Sequence, residues 1–213
     1  MTGPTRLVLA SASPARLSTL RNAGLDPEVL VSGVDESVVE STDPATLATR
    51  LAELKADAVL GRLDEAAAGA VAADVLVLGC DSVLDFGGEV LGKPADAEEA
   101  RARWQKMRGG TGVLHTGHCL VLRSSGRRLV RAVDTVVHFA EVDDVEIDAY
   151  VASGEPLHVA GAFTLDGLGG AFVRGIEGDP HNVVGVSLPA LREMVAELGL
   201  RWTDLWSADA AAR

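Results

Sequence analysis

The chain is short of cysteine, of aromatic side chains, of positive charge and of long apolar runs, and each shortage closes off a class of protein. Only two cysteines occur in 213 residues, Cys80 and Cys119, and they show no metal-ligand spacing. Both lie in apolar surroundings and read as buried free thiols of a cytoplasmic protein, not as a disulfide. With eight aromatic residues, aliphatic side chains must fill most of the core. Acidic residues outnumber Lys and Arg by 31 to 19, a formal net charge of −12. Such a chain repels polyanions, so no nucleic acid polymer is expected as a partner. A small anion held by a local cluster of cations is still allowed. No apolar run approaches ~18 residues and the N-terminus carries no apolar signal segment, so neither a membrane nor secretion is expected. The P-loop pattern is missing as well.

What is present is organised around Val75-Leu76-Val77-Leu78-Gly79-Cys80-Asp81-Ser82. Four branched apolar residues in a row predict a buried strand. It is expected to stop at Gly79, which puts Asp81 just past a strand end, where open α/β sheets hold ligand groups. A hairpin signal at Gly87-Gly88 brings a second arm back, and that arm delivers Gly92-Lys93-Pro94. An anion and a cation at the mouth of one sheet suit a phosphorylated, metal-bound ligand. A turn cap and a solvated lysine are the plainer reading of the same two residues.

Elsewhere the pattern alternates strand and helix, then turns to a meander. Arg6–Ala10 reads as a strand, and Ser13-Pro14 as an N-cap followed by proline at the first helical position. Exposed N–H groups at such a helix start attract anions, and Ser11, Ser13 and Arg16 stand beside them. Val29–Val31 predicts a strand leading to Asp35-Glu36, acids suited either to a hard cation or to plain solvation. Asp43-Pro44 opens a helix with an apolar stripe at Leu47, Leu51, Leu54 and Ala58. Lys55 borders that stripe, and the spacing fits a lysine that snorkels to water or one that points at a ligand. Residues 61–74 read as the end of this helix and a linker. Asp96 to Glu99 matches a capping box ahead of a helix ending near Gly109-Gly110. Two long strands, Val113–Leu122 and Leu129–Phe139, follow. His115 and His118 face opposite sides of the first, which argues against zinc. Asp143 starts a helix that stops at Gly154. Beyond it lie the Gly-rich segment 167–170, a short strand at Ala171–Val173, a loop over 178–182 and a helix from Ser187 to Gly199. The tail after Trp206 is expected to fray. The length predicts one domain, and the order of elements a mixed α/β sheet.

Taken singly these signals are modest, but their order is specific. Ser11-Ala12-Ser13-Pro14-Ala15-Arg16, Val34-Asp35-Glu36-Ser37, Leu54-Lys55-Ala56, Gly79-Cys80-Asp81-Ser82 and Leu91-Gly92-Lys93-Pro94 come in sequence. His115-Thr116-Gly117, Gly154-Glu155-Pro156, Ala160-Gly161-Ala162 and Asn182-Val183-Val184-Gly185 follow. Over about residues 6 to 198 the chain resembles the Maf family, the septum-formation-inhibitor-like nucleoside triphosphate pyrophosphatases. The resemblance implies a two-lobed α/β fold with a cleft, similar to the inosine-triphosphate pyrophosphatase fold. It implies hydrolysis of an NTP or dNTP to the monophosphate and pyrophosphate with a divalent metal (Mg, or Mn or Co), removing non-standard or excess nucleotides. It places the catalytic acid at Asp81, as proton acceptor or metal ligand, with Glu36 on the metal side. It assigns Arg16, Lys55 and Lys93, with Ser11 and Ser13, to the phosphates. A homodimer is the family-level expectation. Several positions depart from the family pattern: Ala15 replaces an arginine, Asp166 a glutamine, and residues 159–163 and 178–182 differ. All but Ala15 fall in the second lobe, so a broader or different base preference is expected. The competing expectation is a nucleotide-binding regulator of cell division with little catalysis.

Overall fold

Seven strands form one mixed sheet in the computed structural model, which describes residues 5–39, 41–66 and 74–212. The strands are β1 (Arg6–Leu9), β2 (Glu28–Val29), β3 (Val75–Phe86), β4 (Glu89–Leu91), β5 (Thr111–Leu122), β6 (Arg127–Phe139) and β7 (Val173–Glu177). Their order is β2-β1-β3-β5-β6-β7, with β4 also on β3. Pairing is parallel among β2, β1 and β3 and antiparallel everywhere else. The helices are α1 (Pro14–Asn22), α2 (Pro44–Ala66), α3 (Ala97–Met107), α4 (Asp144–Ala152), α5 (Pro180–Val184), α6 (Leu188–Glu197) and α7 (Ala208–Ala211). Mixed α/β architecture is therefore as the order of elements predicts.

β3 is longer than expected, and the difference matters. The strand does not stop at Gly79; it runs on to Phe86, so Asp81 lies in mid-strand. What stops is β1, whose register with β3 ends at Leu9 opposite Leu78. On the same edge, β4 pairs only with Leu84–Phe86. Among the described residues, Gly79–Val83 thus has a strand partner on the β5 side alone. A notch in the sheet edge, not a strand end, exposes Asp81. Sequence patterning along β3 cannot show it, because the notch is set by where other strands stop.

Alternation along β3 sorts the core. Leu76, Leu78 and Cys80 face α1 and α6, packing with Leu20, Leu191, Met194 and Val195. Val75 and Val77 face α2, packing with Ala52, Ala56 and Val59. Beyond the notch a second lobe packs around Trp104, Phe139, Tyr150 and Phe163. Edge-to-face pairs such as Trp104–Phe139, with ring centroids 5.7 Å apart, join the aromatic residues there. Six of the eight aromatic residues gather in this lobe, so the aliphatic core expected for the whole chain is confined to the first.

The buried face of α2 is also shifted from the expected stripe. Ala48, Leu51, Ala52, Lys55, Ala56 and Val59 are buried, whereas Leu47, Leu54 and Ala58 are only half-buried. Small residues face the sheet because the helix sits very close to it. A Cβ on Gly79 would lie 2.1 Å from the Ala52 carbonyl oxygen, and one on Gly117 2.2 Å from that of Ala48. Other boundaries moved less. β2 covers Glu28–Val29 instead of Val29–Val31, and the expected strand at Ala171 begins at Val173 after a 3₁₀ turn over Leu168–Phe172. The loop expected over 178–182 contains α5, capped by Asp179 with Pro180 in the first turn. After Trp206, Ser207 caps α7 and its N–H bonds to Gly24 O at 2.8 Å. The expected linker lies partly outside the described residues; Gly61–Ala66 continue α2.

Close seating of α2 makes a prediction. Gly79→Ala and Gly117→Ala should each destabilise by about 1–3 kcal/mol or more, since backbone cannot yield to the added methyl. Gly61→Ala, on the same helix with open space around it, should stabilise by about 1 kcal/mol. Urea denaturation midpoints of the three variants check this ordering.

Candidate functional site

A cleft of about 610 Å³ opens over the notch, lined from both lobes. Its volume lies in the range of small-molecule sites. Asp81 rises from its floor on the α2 face of β3, directly across from Gly117. The missing side chain at Gly117 and the close seating of α2 let Lys55 reach inward. Lys55 Nζ donates to Asp81 Oδ1 at 2.5 Å and lies 2.7 Å from Glu36 Oε1. Of the two fates open to Lys55, the structure shows the inward one: the residue is 7% exposed and its ammonium joins two carboxylates. Removing one partner from such a buried pair typically costs about 3–5 kcal/mol.

Glu36 comes from a short 3₁₀ turn, Glu36–Val38, that Asp35 caps by accepting from the Ser37 N–H at 3.0 Å. Partial burial alone would raise the Glu36 pKa. The Lys55 hydrogen bond and charge, with the charges of Lys93 and Arg16, outweigh it and hold the carboxyl below its ordinary value of 4.5. Lys93 follows β4 in a segment fixed at Gly92. The Gly92 carbonyl accepts from Gly161 N at 3.0 Å and from Arg103 Nη1 at 2.6 Å.

The opposite wall is the Ser-rich turn into α1. Ser13 Oγ caps the helix by accepting from Arg16 N at 3.4 Å, as the sequence predicts. Ser11 Oγ accepts from Ser13 N and from Arg16 Nη1. Arg16 is nearly buried, and its Nε donates to Gly185 O at 2.7 Å and its Nη2 to Ser82 Oγ at 3.0 Å. Among the described residues, every hydrogen-bond partner of this guanidinium is a neutral oxygen, so its charge stays available to an anion.

All seven residues singled out from the sequence, Ser11, Ser13, Arg16, Glu36, Lys55, Asp81 and Lys93, line this one cleft. Sequence reasoning gave no role to Ser82, which bonds Arg16, or to Thr116 beneath it; both are uncharged, and a hydroxyl names no partner. The Gly-rich segment at 167–170 faces protein. Leu168 N and Gly169 N donate to the Glu155 carboxylate, and a Cβ on Gly167 would lie 2.5 Å from Glu155 Oε2. His115 pairs across strands with Asp134, and buried His118 accepts from Ser187 N at 2.9 Å, with burial and the nearby Arg16 charge pushing its pKa down to about 4. Cys80 and Cys119 are buried free thiols, and burial pushes both pKa values up to about 12.

An α/β sheet with a notched edge, a lysine clasped by two acids and a facing arginine at a helix start defines a class of protein built to handle small polyanions. Residues 6–198 match the family model described as Maf-like protein, and the chain belongs to that family. Relatives agree over nearly full length. A protein of Salinispora tropica named nucleoside triphosphate pyrophosphatase is 60% identical over 204 residues, covering 96% of this chain and 88% of the relative. One of the same name from Streptomyces coelicolor is 59% identical, covering 95% of each chain. A cyanobacterial one, from Gloeothece citriformis, is 49% identical over 93% of this chain and 97% of its own.

The acid–lysine cluster yields a pH prediction. Because the folded pKa of Glu36 lies below its unfolded value, the stability it contributes is complete above about pH 4.5 and is lost as pH falls through the folded value. In Lys55→Met, burial acts with less opposition, so the Glu36 midpoint should rise. Carboxyl ¹³C shifts followed by NMR from pH 2 to 7 in both proteins measure it.

Proposed function

We propose that this chain is a nucleoside triphosphate pyrophosphatase, cleaving the α–β phosphoanhydride to leave the nucleoside monophosphate and pyrophosphate. One observation carries the reading: acids and cations from five separate segments converge in a single cleft of nucleotide size. The names of the relatives point the same way. Such a cleft reconciles a net charge of −12 with a polyanionic substrate, since Arg16, Lys55 and Lys93 offset the general field where phosphates would lie.

A divalent metal fits the site. Glu36 Oε1 and Asp81 Oδ1 already share one cationic nitrogen, and oxygen donors suit magnesium. The described residues hold no group of three or more acidic, histidine or cysteine ligands, so phosphate oxygens and water would complete the shell. When bound, the metal supplies positive charge to the phosphate chain and acidifies a water. Asp81 then holds or accepts the proton of the water aimed at the α-phosphorus. Arg16 and Lys93 stabilise charge gathering on the departing pyrophosphate. Lys55 holds the Asp81 carboxylate in place through its hydrogen bond to Oδ1. The base would lie against the second-lobe wall, with His158, Thr164 and Asp166, and Asp166 in place of a glutamine makes a broader or different base preference the expected one. In the cell such an enzyme would remove non-standard or excess nucleotides.

The regulator reading differs in one respect, turnover. Incubation with a panel of ribo- and deoxynucleoside triphosphates and Mg²⁺ or Mn²⁺ should release pyrophosphate from at least one. No release from any of them would refute the proposal. Asp81→Asn should lower turnover by about 10²–10⁴-fold while nucleotide binding, measured by calorimetry, persists.

A further inference from the structure

Arg16 is held by a chain of hydrogen bonds whose direction can be read from one end. Thr116 Oγ1 lies 3.1 Å from the carbonyl oxygen of Asn182, which has no proton to give, so the threonine donates. A hydroxyl has a single proton. At the 2.9 Å contact between Thr116 and Ser82, Ser82 must therefore be the donor. Having given its proton away, Ser82 Oγ presents lone pairs only, and Arg16 Nη2 donates to it at 3.0 Å. The order runs from the guanidinium through two hydroxyls to a main-chain carbonyl, with no freedom to reverse.

The far end is well anchored. Asn182 is fully buried, and its side-chain amide donates to Val133 O at 3.0 Å and to Thr135 Oγ1 at 3.1 Å. α5 is thereby fixed on β6. Three residues further on, Gly185 O accepts from Arg16 Nε at 2.7 Å. One short helix and its cap thus hold the guanidinium twice, directly and through Ser82 and Thr116. Thr116 is 0% exposed on β5 and is not itself among the residues that line the cleft.

We propose that Thr116 is a positioning residue for the reaction, orienting Arg16 toward the phosphates by fixing the donor direction of Ser82. The inference rests on the phosphate-binding role given to Arg16 above. Without the Thr116 hydroxyl, Ser82 is free to turn its proton toward the guanidinium, and one edge of the fork loses its acceptor. Two hydrogen-bonded groups acting as a unit give non-additive losses when both are changed, while independent ones add.

The test is a double-mutant cycle with two readouts, kcat/KM for pyrophosphate release and calorimetric affinity for inorganic triphosphate with Mg²⁺. Thr116→Val, which keeps the buried shape, should weaken both by about tenfold in the wild-type background. Thr116→Ser, which keeps the hydroxyl, should restore them. In an Arg16→Met background, Thr116→Val should have almost no further effect. Ser82→Ala, which breaks the same chain nearer the cleft, should be similarly non-additive with Thr116→Val. Equal losses in both backgrounds, or failure of Thr116→Ser to rescue, would overturn the proposal. Because triphosphate binding needs no turnover, a wild type inert toward every nucleotide sinks the pyrophosphatase reading separately.

Discussion

The contact on which the site depends is the close approach of α2 to the sheet. Two glycines, Gly79 on β3 and Gly117 on β5, leave a flat patch, and the helix meets it with Ala48, Ala52 and Ala56. Bulky side chains at these places would lift the helix away. Lys55 would then fall short of the acids, since a lysine reaches Asp81 only if its own Cα starts near the strand. Packing and electrostatics are therefore one problem here. Dispersion and burial hold the helix down, and the helix delivers the charge that makes two neighbouring carboxylates tolerable.

The cations of the cleft are held in three different ways. Lys55 is committed to Glu36 and Asp81, with a short contact to each. Arg16 is equally confined, but by a carbonyl and two hydroxyls that leave its charge uncancelled. Confinement by neutral acceptors gives direction without neutralisation, which is what an anion-facing guanidinium needs. In a chain this acidic, that arrangement keeps one strong positive point in the cleft. Lys93 stands on a third support, the segment after β4, which the second lobe grips through Gly161 and Arg103.

Much of the fold was legible in the sequence for local reasons. Caps such as Ser13, Asp43, Asp96 and Asp143 act within a few residues of themselves, so their patterns show in a short window. The same signature at Asp179-Pro180 marks α5, yet the glycines and histidine around it look like a loop. That the seven cleft-lining candidates belong together was legible through the order of their motifs, not through any one spacing. Features that depend on distant chain were not. The notch around Asp81 exists because β1 ends at Leu9, some seventy residues away in sequence, and the buried stripe of α2 is set by glycines on strands it packs against. Ser82 and Thr116 fall inside two of the ordered motifs, but a hydroxyl in a strand gives no sign of the partner it will bond.

The cleft's two acids stand on supports of unequal stiffness. Asp81 is part of a twelve-residue strand clamped beneath a helix, whereas Glu36 sits on a three-residue turn whose neighbours are mostly open to solvent. Arg62, donating to Val31 O, tethers the approach to that turn from the far side. Any adjustment in the width of the cleft falls on the Glu36 side, while the strand side acts as a fixed jaw.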